Sequence, residues 1–81
     1  MTNKIIDDKY TIYVTGSGSK FWYVNNKLHR EDSPAIEYGS GHVEYYINNE
    51  ELKPRQAIHF PDLQRYPKLI ESMIIYLVHN S

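Results

Sequence analysis

The 81-residue chain contains no cysteine. A disulfide framework and a thiolate metal site are therefore excluded. The absence fits a reducing compartment, and a cytoplasmic location is the expectation. Neither sign of charge dominates. Nine Lys and Arg face ten Asp and Glu, giving a net charge of −1 and a pI near 6.4. Non-specific duplex binding needs an excess of cations against phosphates, and an acidic nucleic-acid mimic needs an excess of carboxylates. Long apolar runs are missing too. Ile5-Ile6 is too short for a signal-peptide core, so residues 1–8 read as a lead-in of low information. The most apolar run, residues 73–78, cannot span a bilayer, so a soluble protein with no membrane contact is expected. The length suits one domain over 1–81. A domain this small buries only ~60% of the surface its unfolded chain exposes, which leaves a thin core.

Tyrosine is the residue in excess: eight copies, accompanied by Phe21, Trp22 and Phe60. Tyrosine suits a half-buried sheet, with its ring packed and its hydroxyl wet, and it is enriched at recognition surfaces. The segments 9–15, 20–24, 34–38, 42–47 and 57–60 are short, β-branched or aromatic, and bounded by turn residues, so five strands are expected over 9–60. Gly-Ser-Gly at 16–18 and 39–41 and the pairs Asn25-Asn26 and Asn48-Asn49 supply the reversals, because Gly and Asn tolerate positive φ. After Pro61-Asp62 the period changes. Leu69, Ile70, Met73, Ile74, Leu77 and Val78 recur at helical spacing, and Pro67 fits a first turn, which predicts a helix over 67–79.

The chain repeats itself at a lag of 23. Gly16-Ser17-Gly18 lands on Gly39-Ser40-Gly41, and Trp22-Tyr23-Val24-Asn25-Asn26 lands on Tyr45-Tyr46-Ile47-Asn48-Asn49. At a lag of 22, Ala35-Ile36-Glu37-Tyr38 lands on Ala57-Ile58-His59-Phe60. The expected fold is α+β: an antiparallel β-meander of about five strands, built from two repeat units, with the C-terminal helix packed on one face. Alternation puts Trp22, Val24, Tyr45 and Ile47, together with Ile36, Tyr38, Ile58 and Phe60, on the core face. It leaves Val14, Phe21, Tyr23 and Tyr46 as an exposed aromatic patch among charges.

The copy over 22–41, beginning W-Y-V-N-N-K-L-H-R-E-D-S-P-A, resembles the MORN-like repeat variants of phage and viral proteins, whose unit runs roughly W-Y-x-N-G-x-x-H-R-x-D-G-P-A-x-x-x, followed by a Gly-containing turn. Trp22, Tyr23, Asn25, His29, Arg30, Asp32, Pro34 and Ala35 match; Asn26, Asn49 and Ser33 stand where the family has Gly. The second copy is degenerate, with Leu52 and Lys53 in place of His-Arg. The resemblance implies a meandering sheet with a binding or scaffold role. It also implies a phage or viral source, and so a host protein as partner.

His29-Arg30-Glu31-Asp32 is the one place where an acid–base group, a cation and carboxylates crowd together. No nucleophile accompanies them, and a role in fixing the link between hairpins is favoured over a His29-dependent hydrolase. The histidines at 29, 42, 59 and 79 lack metal-ligand spacing. Gly16-Ser17-Gly18 precedes a strand, not the helix a phosphate site needs. No cofactor or metal is expected. The expected function is a non-catalytic module that binds, and inhibits or redirects, a host protein such as a defence factor. Its candidate contacts are Phe21, Trp22, Tyr23, His29, Arg30, Tyr45 and Tyr46, of which Trp22 and Tyr45 also suit the core. Stacking of single-stranded nucleic acid on the same aromatics is the alternative, opposed by Glu37 and Glu44. An edge strand, and Ile75 off the helix's apolar stripe, would suit a homodimer.

Overall fold

A computed structural model describes residues 2–80. It contains β1 (Asn3–Asp7), β2 (Tyr10–Val14), β3 (Lys20–Val24), β4 (Lys27–Leu28), β5 (Ile36–Glu37), β6 (Val43–Ile47) and β7 (Glu50–Leu52). A one-turn helix α1 (Pro54–Ala57), a 3-10 turn (Pro61–Arg65) and α2 (Pro67–His79) follow. All strand pairs are antiparallel, in the order β1-β2-β3-β5-β6-β7, with β4 also beside β3. The α+β class and the helix over 67–79 stand, but the described residues form seven strands where five were expected.

The differences have local causes. β1 is exposed along its whole length and carries no inward alternation to read. It is held by a two-residue turn in which Asp8 takes φ +58°. In β7 two glutamates hide a strand whose only buried residue is Leu52. The strand expected at 57–60 does not form. Pro54 starts α1 instead, and the amides of Ile58, His59 and Phe60 bond back to Pro54, Gln56 and Ala57.

The two repeat units are equivalent in space. β3 shifted by 23 residues is β6, Lys20–Val24 becoming Val43–Ile47. Each Gly-Ser-Gly turn carries the same pair of hydrogen bonds. Thr15 N–H bonds Ser19 O and Gly18 N–H bonds Thr15 O; Tyr38 N–H bonds His42 O and Gly41 N–H bonds Tyr38 O. Gly18 and Gly41 both take positive φ, +87° and +97°, as the last residue of a three-residue hairpin loop requires. The turns also stack. Gly39 donates its amide to buried Ser19 Oγ at 3.0 Å, and a Cβ on Gly39 would collide with the Ser17 carbonyl. Both Asn-Asn pairs have positive φ at both residues, +51° and +64°, then +50° and +69°, the backbone of a type I′ hairpin turn.

One lane of the sheet is interrupted. β3 pairs with β4 so that partner numbers sum to 51 (Tyr23 with Leu28), and with β5 so that they sum to 57 (Phe21 with Ile36). The difference, 57 − 51, is six residues pushed out of the lane between its two halves. Trp22 sits at the break: its carbonyl accepts from His29 N–H and its amide donates to Ala35 O. On the far side β6 and its turn hold both halves, through β5 and through Arg30 N–H to Tyr46 O and Asn49 N–H to Leu28 O.

The register assigns the faces. Ile12, Trp22, Ala35, Glu37, Val43, Tyr45, Ile47 and Leu52 share the covered face. Over its second unit lies the main core, where Tyr45 and Leu52 pack with Ala57, Leu63, Leu69 and Met73. Over its first unit the cover is the extruded link: the Arg30 guanidinium lies 3.8 Å from the centre of the Trp22 ring. Three expectations about faces change. Ile36 and Tyr38 belong to the opposite face, because Ile36 pairs with Phe21. Val14 pairs with Lys20 and lies on the covered side. Phe60, 45% exposed, lies outside the core because the chain there turns instead of extending.

Candidate binding face

The link His29-Arg30-Glu31-Asp32 is tied down at every residue. His29 is buried. Its Nδ1 accepts the Asn48 amide at 3.1 Å, so the ring proton sits on Nε2, which donates to Glu31 Oε2 at 2.7 Å. The other Glu31 oxygen takes Lys9 Nζ, and the Glu31 amide donates to the Tyr10 hydroxyl at 3.1 Å. Partial burial works against ionisation of Glu31, but the hydrogen bonds from Lys9 and His29 outweigh it and hold its carboxyl below the ordinary range. Arg30 reaches Asp32 at 3.2 Å, Pro34 O at 3.1 Å and Glu37 at 3.1 Å while its plane covers Trp22. The edge of the His29 ring meets Tyr66, joining the link to the helical layer. Both nitrogens of His29 are thus hydrogen-bonded, and Arg30 binds Asp32, Pro34 O and Glu37 together.

The opposite face of the sheet is different. Register puts Lys4, Thr11, Tyr13, Phe21, Tyr23, Ile36, Glu44 and Tyr46 on it, and Tyr38 follows by alternation. No sheet residue of the helix-side core comes from this face. Five aromatic rings run across it, and only Ile36 among its apolar side chains is fully buried, flanked by Phe21 and Glu44. The rings brace one another edge-on, Tyr13 against Tyr23 at 5.5 Å and Phe21 against Tyr38 at 6.2 Å, and Tyr38 stacks on His42 at 5.6 Å. The patch is therefore pre-set rather than loose, which lowers the ordering cost of binding.

Its two ends differ electrically. At one end Glu44 accepts the Tyr46 hydroxyl at 3.1 Å and lies 3.5 Å from His42. Burial and then the Glu44 carboxylate, with Glu51 beyond, push the Tyr46 phenol up to about 12, and burial with Glu44 raises Tyr38. This end carries negative potential. At the other end Lys4, Thr11, Tyr13, Tyr23 and Asn26 line a shallow depression of about 340 Å³. Among the described residues no group of three His, Asp or Glu side chains could hold a metal.

The expected contacts thus separate. Phe21, Tyr23 and Tyr46 share the open face. Trp22, His29 and Tyr45 are buried on the covered side and present no ring to a partner, and Arg30 is mostly covered and bound internally. Trp22 and Tyr45 hold the same place in the two units, as His29 and Leu52 do. Tyr13 and Tyr38 join the open face without having been singled out as contacts. The signal for Tyr13 was present, since the lag of 23 sets Tyr13 on Ile36; the competing lag of 22 put Ile36 and Tyr38 on the wrong side. No family model, curated protein or solved structure matches the chain.

Proposed function

We propose that the chain is a small non-catalytic protein-binding module of the MORN-like repeat type, and that its open tyrosine-lined face is the contact surface. One observation carries this reading: five aromatic rings, four of them braced edge-on in pairs, share a sheet face that the protein's own helices leave bare, while the acid–base cluster is used internally. Rigid tyrosines with wet hydroxyls give large contact area at low entropy cost. In this reading the partner is a host protein and the mode of action is occlusion of its surface, with no bond made or broken.

The test is affinity capture from host-cell extract with the intact protein, with Tyr23→Ser and Tyr46→Ser, and with Lys53→Ser on another surface. A specific partner retained by wild type and Lys53→Ser, and lost by at least tenfold in both tyrosine variants, is the expected result. A partner that both tyrosine variants hold unchanged would remove the open face from consideration. Fluorescence anisotropy with single-stranded oligonucleotides runs beside it. Tight binding that weakens steeply with salt would replace the protein partner with nucleic acid.

A further inference from the structure

The two edges of the sheet are treated unequally. β7 is three residues long, carries Glu50 and Glu51, and runs into Pro54. These are the usual guards against edge pairing. β1, at the other edge, is five residues long, has no proline, and exposes Ile5 (48%) and Ile6 (65%). The Asp8-Lys9 turn closes on the Asp7–Tyr10 pair. Alternation then directs the amides and carbonyls of Asp7, Ile5 and Asn3 toward β2 and those of Lys4 and Ile6 outward.

We infer that β1 pairs antiparallel with β1 of a second copy about a two-fold axis through Ile5. A two-fold axis perpendicular to a sheet keeps faces continuous, so opposed residues must share parity and their numbers must sum to an even value. A sum of 10 is the register that uses all of β1. It pairs outward-facing Lys4 with Ile6 in both directions, which allows four backbone hydrogen bonds. It sets Ile5 against Ile5 at the close, non-hydrogen-bonded position, lays the Lys4 stem along Ile6, and brings Asn3 to Asp7. A sum of 8 would oppose Lys4 to Lys4, and a sum of 12 would oppose Ile5 to Asp7 and run into the turn. The strand is positive toward its start and negative at its end, which also favours antiparallel self-pairing. The paired open faces become one surface, with the Lys4–Tyr13–Tyr23 depression beside the seam. This pairing stands whether or not that face is the contact surface.

Because the chain has no cysteine, single substitutions report the register directly. Sedimentation of wild type should show a doubled mass that falls to the monomer on dilution. Under mild oxidation Ile5→Cys should cross-link at least about tenfold faster than Ile6→Cys, whose two copies would lie beyond the ~7 Å Cα limit for a disulfide. Ile6→Pro, which removes an outward amide and no internal bond, should stay folded by circular dichroism and sediment as a monomer. A wild type that is monomeric throughout, cross-linking at position 6 equal to that at position 5, or an Ile6→Pro that still dimerises would each overturn the inference.

Discussion

Glu31 shows how one side chain can turn a charged segment into structure. Its carboxylate accepts from Lys9 of the first hairpin and from His29 of the link, and its amide donates to the Tyr10 hydroxyl oxygen. Burial disfavours the charged form, yet these donors hold the folded carboxyl below its ordinary value of 4.5. The unfolded chain therefore binds more protons than the folded one in that range, so the stabilisation is complete above about pH 4.5 and is lost as pH falls through the folded value. Thermal melts of Glu31→Gln should start lower than wild type at pH 7 and should decline less between pH 5 and 3; parallel declines would show that Glu31 is not held by its donors. The clustering of acid, base and cation was plain in the sequence. Their mutual engagement was not, because Lys9 and Asn48 lie about twenty residues away from their partners Glu31 and His29. Sequence proximity suggested a site where the folded contacts make a clamp.

At the level of elements, the turns were the most legible feature and the charged strands the least. Asn-Asn and Gly-Ser-Gly need positive φ, few residue types provide it, and so the reversals could be placed before the strands they join. β1 and β7 escaped because exposed or half-exposed edge strands need no apolar alternation. The two Asn-Asn turns are alike in backbone but not in side-chain use. Asn49 Oδ1 accepts the Leu28 amide at 2.7 Å, whereas Asn26 makes no such bond among the described residues. Asn26→Gly should therefore raise stability, by a few tenths to about 1 kcal/mol, since Gly carries no Cβ penalty at φ +64°. Asn49→Gly should lower it by up to about 1 kcal/mol through the orphaned amide. Urea denaturation of both variants decides the matter, and equal shifts of one sign would show that the Asn49 bond contributes nothing.

The whole molecule is a slab, 37 × 27 × 18 Å, whose two repeat units share a scaffold but not a cover. Helices cover the second unit and bury its core; the first has only Arg30, the link and the Ile12–Trp22 pair. Hydrogen exchange should follow this division, with residues 3–14 exchanging well before β6 and α2. Protection in β1 equal to that in β6, at concentrations where the protein is monomeric, would contradict it. The repeat foretold the scaffold, since two copies of a pattern constrain a register that one copy leaves open. It could not foretell the covers, because the link and the helix are the parts that do not recur. The excursion between β4 and β5 has a last consequence for how this sequence can change length. Residues 30–34 lie outside the ladder, between the two bonds that Trp22 makes to His29 and Ala35. The face of Ile36 and Glu37 is set by their partners Phe21 and Lys20 and not by the number of residues in the excursion. Residues added there lengthen a loop, in odd or even steps, and leave the second unit the same way up. Length at this point of the sequence is uncoupled from the pleat that governs it everywhere else in the sheet.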